Sequence, residues 1–144
     1  MNYFGQFDHA IDEEGENKEI FLIYSHYPIF IGLIMVTVSM SFLVNPEAHH
    51  LFATSFFYTG IGLFQAAILA NGYFNKSYLK YDKAYYGLQA GMLLIGLVLS
   101  LLFSANPTIV ITIATVMTLA MEVHFIHFYM TRTKKFSTPN WDLY

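Results

Sequence analysis

The chain has 144 residues, of which 56% are hydrophobic and only 12% are charged. Soluble domains carry about 25% charged residues, so this composition indicates a membrane protein. The chain contains no cysteine, which excludes disulfide bonds, a thiolate nucleophile and a thiolate metal site. Its few basic residues lie next to apolar segments, so nucleic acid is not an expected partner.

Four apolar segments follow one another and are separated by short polar turns. A helix needs about 20 apolar residues to cross a bilayer, and each segment meets this length. We therefore predict an all-α, polytopic membrane protein with four transmembrane helices in two hairpins. The segments are residues 20–44, 51–74, 85–105 and 108–130.

The basic residues predict the orientation of these helices. All 7 Lys and Arg residues lie on one side of a four-span chain, and the turns at 45–50 and 106–107 carry none. The positive-inside rule then predicts a multi-pass protein of the cell (plasma) membrane with both termini in the cytoplasm. The predicted regions are an acidic cytoplasmic segment (1–19), a transmembrane domain (20–131) and a basic cytoplasmic tail (132–144).

Small residues spaced four apart indicate where the helices pack. A stripe of this kind lets two helices approach closely in a membrane. The second span has Gly62, Ala66 and Ala70, and the third has Gly87 and Gly91. We predict that these positions pack against neighbouring helices.

A layer of six strongly polar histidine, glutamine and glutamate side chains lies inside the apolar segments, all in the cytoplasmic half at the usual rise of about 1.5 Å per residue. An ionisable group in lipid is costly, so this layer is a candidate ligand or proton site. A neutral glutamic acid that only joins helices, and histidines at the headgroup boundary, explain the pattern equally well. The layer consists of His26, Gln65, Gln89, Glu122, His124 and His127.

The last span places its polar residues on two different faces. His124 and His127 share one face, whereas Glu122 lies about 160° away from His124 around the helix. Both faces should avoid lipid, and a four-helix bundle buries only one face of each helix. We therefore expect a larger assembly, either a homo-oligomer or a complex with a companion membrane chain.

Two short motifs carry a resemblance to a known family. The chain opens with YFGQFDHA at residues 3–10, and its first span begins with YSHYP at 24–28. Together they resemble the low temperature requirement protein A (LtrA) family, in the C-terminal part of the family's length. The resemblance implies a membrane protein associated with growth in the cold, an opening that ends an earlier helix, and motif positions Asp8, His9 and His26.

Three functions stay open at this point. The first is a transporter-like or sensor-like helical bundle of the LtrA type. The second is a haem-binding anchor subunit of a respiratory complex, with His26 and either His124 or His127 as axial ligands. The third is a purely structural assembly protein. The sequence has no paired nucleophile and base, no phosphate-binding loop and no zinc-helix motif, so neither enzyme activity nor a metal site is expected.

Overall fold

The computed structural model describes the backbone of residues 18–72 and 79–137, with side chains for 24–72 and 79–134. These residues form four helices and no strand: α1 (Lys18–Val44), α2 (His50–Asn71), α3 (Lys83–Leu102) and α4 (Pro107–Ser137). Each helix contains a segment long and apolar enough to cross a membrane. The prediction of an all-α protein with four membrane-spanning helices is therefore confirmed. Asp8, His9 and most of the acidic segment lie outside the described residues.

Asparagine and aspartate side chains define the turns between the helices. Asn45 Oδ1 accepts a hydrogen bond from the Glu47 amide at 3.0 Å, which closes the turn after α1. Asn106 Oδ1 accepts from the Ile109 amide at 3.3 Å and caps α4, whose first residue is a proline. Asp82 Oδ1 caps α3 in the same way, at 2.8 Å from the Tyr85 amide. The short turns at Asn45 and Asn106 place α1 beside α2 and α3 beside α4.

Helices α1 and α2 form the most extensive contact between helices, and small residues line it at intervals of seven. A repeat of seven keeps one face of a helix directed at its antiparallel partner. Small side chains on that face allow the two backbones to approach closely. The repeat is Ser25, Gly32 and Ser39 on α1, and Ala53, Gly60 and Ala67 on α2; all six are buried.

Gly32 and Gly60 mark the closest approach of the two helices. A Cβ atom added at Gly32 would lie 2.8 Å from the Phe64 amide nitrogen and 2.9 Å from the Gly60 carbonyl oxygen. A Cβ atom at Gly60 would lie 2.9 Å from the Val36 amide nitrogen. Because these neighbours are backbone atoms, they cannot move aside as a flexible side chain can, and only glycine fits.

The stripe predicted from four-residue spacing does not form this contact. A Cβ atom at Gly87 or Gly91 would meet nothing within 4 Å among the described residues, and one at Gly62 would make an ordinary 3.4 Å contact with Leu93. Ala66 and Ala70 are exposed. Within the described chain, close packing therefore follows the seven-residue repeat and not the four-residue stripe.

The core lies between the first hairpin and the start of α4. Tyr58 of α2 extends toward α3, where its hydroxyl pairs with the Ser100 hydroxyl at 2.8 Å. Gly96 allows this approach, since a Cβ atom there would lie 3.2 Å from the Tyr58 hydroxyl oxygen. The cluster of buried residues consists of Leu43, Ala53, Phe57, Tyr58, Ile61, Val110 and Ala114.

The glycine contact yields a prediction of stability. Gly32→Ala should lower the free energy of unfolding by about 1–3 kcal/mol, because the added methyl group overlaps backbone atoms of α2. Gly87→Ala is the matched control, and it should cause no loss because alanine is favoured over glycine in a helix by up to about 1 kcal/mol. Unfolding of both variants in the same detergent measures the difference. Equal effects at the two positions would contradict the close contact.

Candidate functional site

Gln89 is the central polar residue of the interface between α3 and α4. Its side chain is only 1% exposed. Its amide nitrogen Nε2 donates to the Tyr85 hydroxyl at 3.1 Å and to the Met121 carbonyl oxygen at 3.4 Å. The second bond reaches across to the backbone of α4, so Gln89 joins the two helices of the second hairpin.

The same bonds determine which way the Gln89 amide faces. The Met121 carbonyl can only accept a hydrogen bond, so the amide nitrogen must face it. The opposite orientation would place two acceptor oxygens against each other. The Gln89 Oε1 atom therefore points away from both partners, and it is enclosed without a hydrogen-bond partner among the described residues. Gln89 thus presents a fixed, unused acceptor inside the hairpin.

His124 lies beside Gln89 through a shared neighbour, Tyr85. The His124 and Tyr85 rings stack with centroids 4.8 Å apart and planes inclined by 20°. The His124 Nδ1 atom is enclosed and has no hydrogen-bond partner among the described residues. Tyr85 itself is buried. Its ring stacks on His124 and its hydroxyl accepts the hydrogen bond from Gln89, so one side chain contacts both residues.

Glu122 follows Met121 on α4 and is half-buried. Its Oε2 atom is enclosed and has no partner among the described residues. Glu122 is also the only carboxylate within the four candidate membrane spans. A polar group buried in an apolar medium is costly unless it has a partner. We refer to Gln89, Glu122 and His124 together as the polar group.

Buried polar atoms without partners concentrate at one end of the bundle. The described residues contain five such atoms. Four of them lie near the end of α2, near the start of α3 or in the second half of α4, which meet at the same end of antiparallel helices. The five atoms are Thr54 Oγ1, Asn71 Oδ1, Gln89 Oε1, Glu122 Oε2 and His124 Nδ1. Buried groups of this kind normally have partners, so the concentration calls for an explanation.

An aromatic cluster of Tyr81, Tyr85 and Phe128 covers this end of the second hairpin. Tyr81 and Tyr85 stack at 4.4 Å, and Phe128 lies 5.6 Å from Tyr81 and 4.9 Å from Tyr85 between ring centroids. The Tyr81 ring also lies against Gly72, so that any side chain there would overlap it. The cluster thereby connects the end of α2 with the second hairpin.

Arg132 extends the aromatic cluster toward the polar surface. Its guanidinium carbon lies 5.2 Å from the centroid of the Phe128 ring, and one of its nitrogens lies 3.5 Å from Asp82 Oδ2. Both charged side chains are largely exposed, at 40% and 55%. Such an exposed pair contributes little stability, but it shows that the end of α4 lies beside the start of α3.

The structure distributes the other predicted site residues elsewhere. His127 is exposed on α4, although it lies only three residues from His124. His26 is half-buried on α1, with its ring centroid 6.4 Å from that of Phe30 on the same helix. Gln65 is buried on α2 and is 5% exposed. Among the predicted site residues, Gln89 and His124 are the two that the described contacts connect.

Tyr85 is the site residue that the sequence analysis missed. It stands near the start of a span among other tyrosines, which is typical of residues at the membrane interface. Its position four residues before Gln89, on the same helix face, is the signal that predicts a contact between them.

Among the described residues, no three histidine or acidic side chains lie close enough together to hold a metal ion. A groove of about 250 Å³ lies between α2 and α3, lined mainly by leucines, with Ser55, Tyr58 and Thr59 on one side. None of the predicted site residues lines it. The haem hypothesis stays a prediction, because the described contacts neither join His26 to a second histidine nor test that pairing.

The fold and the enclosed polar group define a multi-pass helical membrane protein. The chain belongs to the family of bacterial low temperature requirement A proteins (LtrA), whose pattern matches residues 1–122. The matched range includes Asp8, His9 and His26, and it ends at Glu122, so His124 and His127 lie beyond it. No curated protein and no solved structure matches the chain.

The two histidines of α4 provide a test of the site geometry. His124→Ala removes a stacked ring and should lower the free energy of unfolding by about 0.5–1.5 kcal/mol. His127→Ala changes an exposed side chain and should stay within about 0.5 kcal/mol of the parent protein. Chemical or thermal unfolding in detergent measures both. A larger loss at His127 would mean that its face, and not that of His124, is the packed one.

Proposed function

We propose that this LtrA protein is a non-enzymatic membrane protein that binds a proton or a small polar ligand at the polar group, as part of a transporter-like or sensor-like bundle. The observation that supports this most directly is the Gln89 Oε1 atom, which is oriented by the bond to Met121, enclosed, and without a partner among the described residues.

The cost of the arrangement supports a functional reading. Leaving a buried acceptor unsatisfied costs about 1–3 kcal/mol, and a buried carboxylate costs more. The polar group contains both features: Gln89 on α3 carries the unsatisfied acceptor, and Glu122 on α4 carries the carboxylate. Ionisable residues inside membrane spans commonly mark the path or binding site of an ion or substrate. A ligand that satisfies these atoms removes the cost when it binds.

We also propose that the protein forms a larger assembly and that both of its termini lie in the cytoplasm. Glu122 and His124 flank the buried face of α4, which runs through Val110, Ala114 and Met121. Glu122 is therefore only half covered by its own chain. A second copy or a companion membrane chain at that side would complete its burial.

A structural role in assembly is the second candidate. Four exposed or open small positions favour it, because they permit close approach by another helix. They are Ala66, Ala70, Gly87 and Gly91. If this candidate is correct, large residues at those positions should abolish function, whereas substitutions in the polar group should leave function intact.

Growth at low temperature tests the proposed function, because the family's description names a low temperature requirement. In a bacterial host whose own gene is deleted, Glu122→Gln should fail to restore growth in the cold. The substitution keeps the size of the side chain and removes its ability to carry charge or exchange a proton. Growth rates at low and ordinary temperature, together with the amount of protein in the membrane, are measured.

Glu47→Gln is the matched control, since Glu47 is an exposed carboxylate in the turn after α1. It should restore growth fully. Full restoration by both Glu122→Gln and Gln89→Leu would contradict the proposed site. If Gly87→Leu then abolished growth, the assembly role would replace it.

The absence of cysteine makes orientation directly measurable. Glu47→Cys and Ala105→Cys place single thiols at the two turns predicted to be external, and Ala84→Cys places one at the start of α3. A membrane-impermeant thiol reagent applied to intact cells should label the first two variants and should label Ala84→Cys only after lysis. The reverse pattern would place both termini outside the cell.

A further inference from the structure

The last turns of α4 carry a groove of about 260 Å³ on the side that faces away from α3. Phe128 and Arg132 contact Tyr85 and Asp82 at the start of α3. At about 100° per residue, the residues that line the groove lie largely on the opposite side of α4 from these two. The groove is therefore separate from the interface that holds the polar group. Its described lining residues are Tyr129, Met130, Thr133 and Lys134.

The groove lies where the apolar part of α4 ends. Met130 is the last residue of the apolar segment, and Thr133 and Lys134 follow it. On the membrane side of the groove, α4 continues as a stripe of exposed apolar side chains spaced three and four apart, the spacing that defines one helix face. We call Val116, Leu119, Val123, Ile126 and Met130 the apolar stripe. A molecule in the groove meets this stripe at one end and a lysine at the other.

Two hydrogen-bond donors of the groove are unused. Among the described residues the ion pair joins Arg132 to Asp82, and no carboxylate there pairs with Lys134. The Tyr129 hydroxyl forms no hydrogen bond within the same part of the chain. The Thr133 hydroxyl, in contrast, donates to the Tyr129 carbonyl oxygen at 2.8 Å. Lys134 and Tyr129 therefore offer donors and a positive charge, which are complementary to the oxygens of an anion.

The whole end of the bundle around the groove is basic. Residues 79–83 and 129–134 contain four basic side chains and one carboxylate, whereas the turns at 45–50 and 106–107 contain no Lys or Arg. The carboxylate, Asp82, already contacts Arg132. A basic residue at a membrane surface strengthens binding to anionic lipid about fivefold. A soluble anion would use this charge but leave the apolar stripe unused, whereas a phospholipid uses both.

We propose that the groove binds an anionic phospholipid, with the phosphate at Lys134 and Tyr129 and an acyl chain along the apolar stripe. A zwitterionic phospholipid brings its own cation beside Lys134 and is less complementary. The inference goes beyond the proposed function and does not depend on it, because it concerns a different face of α4 from the contact between Gln89 and Met121.

Native mass spectrometry of the purified full-length protein tests this inference. The protein is equilibrated in detergent with equal amounts of phosphatidylglycerol and phosphatidylcholine that have identical acyl chains, and the bound lipids are counted. Phosphatidylglycerol should be retained about fivefold more than phosphatidylcholine. Glycerol 3-phosphate, which has the phosphate but no acyl chain, should not displace it at equal concentration. Equal retention of the two lipids, or displacement by glycerol 3-phosphate, would overturn the assignment.

Variants locate the lipid on the protein. Lys134→Ala should reduce the preference for phosphatidylglycerol about fivefold. Tyr129→Phe, which removes only the hydroxyl, should reduce it by a smaller factor. Lys83→Ala is the matched control: it removes an exposed lysine from the same end of the bundle but outside the groove, and it should leave the preference unchanged.

The comparison of the two lysines separates a defined site from general attraction to a basic surface. Equal losses in Lys134→Ala and Lys83→Ala would show general attraction and overturn the site, as would an unchanged preference in Lys134→Ala. An unchanged preference in Tyr129→Phe would overturn the role of its hydroxyl. Lys134 and Lys83 are both exposed, so neither substitution should prevent folding, and thermal unfolding of each variant checks this.

Discussion

Inside a bilayer no water is available to satisfy a polar group, so each one must find its partner in the protein. Most threonine hydroxyls in the described residues meet that requirement locally. Thr37, Thr59 and Thr112, for example, each donate to the carbonyl oxygen four residues earlier on the same helix. The amide of Gln89 cannot be satisfied in this way, because it has two donors and an acceptor. Its bond to the Met121 carbonyl is the constraint that aligns α3 with α4.

The two hairpins are held together by different kinds of contact. In the first, small residues at intervals of seven bring the backbones of α1 and α2 together at Gly32 and Gly60. In the second, side chains separate the backbones: Gln89 bonds across the interface, and the Tyr85 ring stacks on His124. Backbone contact leaves no room for a ligand, whereas an interface of side chains can hold a small one. The polar group accordingly lies in the second hairpin.

The family match covers only part of the polar group. The match ends at Glu122, so it covers Gln89 and Tyr85 but not His124. Glu122 and His124 both lie next to the buried face of α4, on opposite sides of Met121, which explains why each is partly covered. Each has one enclosed side-chain atom without a hydrogen-bond partner among the described residues, Glu122 Oε2 on one side and His124 Nδ1 on the other.

The sequence alone determined the class of protein and the depth of its polar residues along the membrane spans. Four apolar segments of sufficient length predict four spans, because a bilayer has a set thickness. Counting residues along those spans then brings Gln89, Glu122 and His124 to one end of the bundle. The family also followed from motifs printed in the chain, YFGQFDHA and YSHYP.

Only the tertiary structure decided which faces meet. Small residues spaced four apart and small residues spaced seven apart are both compatible with packing, and the helix crossing selects Gly32 and Gly60 over Gly87 and Gly91. His124 and His127 differ by about 60° around α4, yet one stacks on Tyr85 and the other is exposed. The position of a side chain relative to a neighbouring helix depends on how that helix is rotated and placed. Periodicity within one segment carries no information about that rotation, which is why the stacking of Tyr85 on His124 and the free oxygen of Gln89 emerged only from the fold.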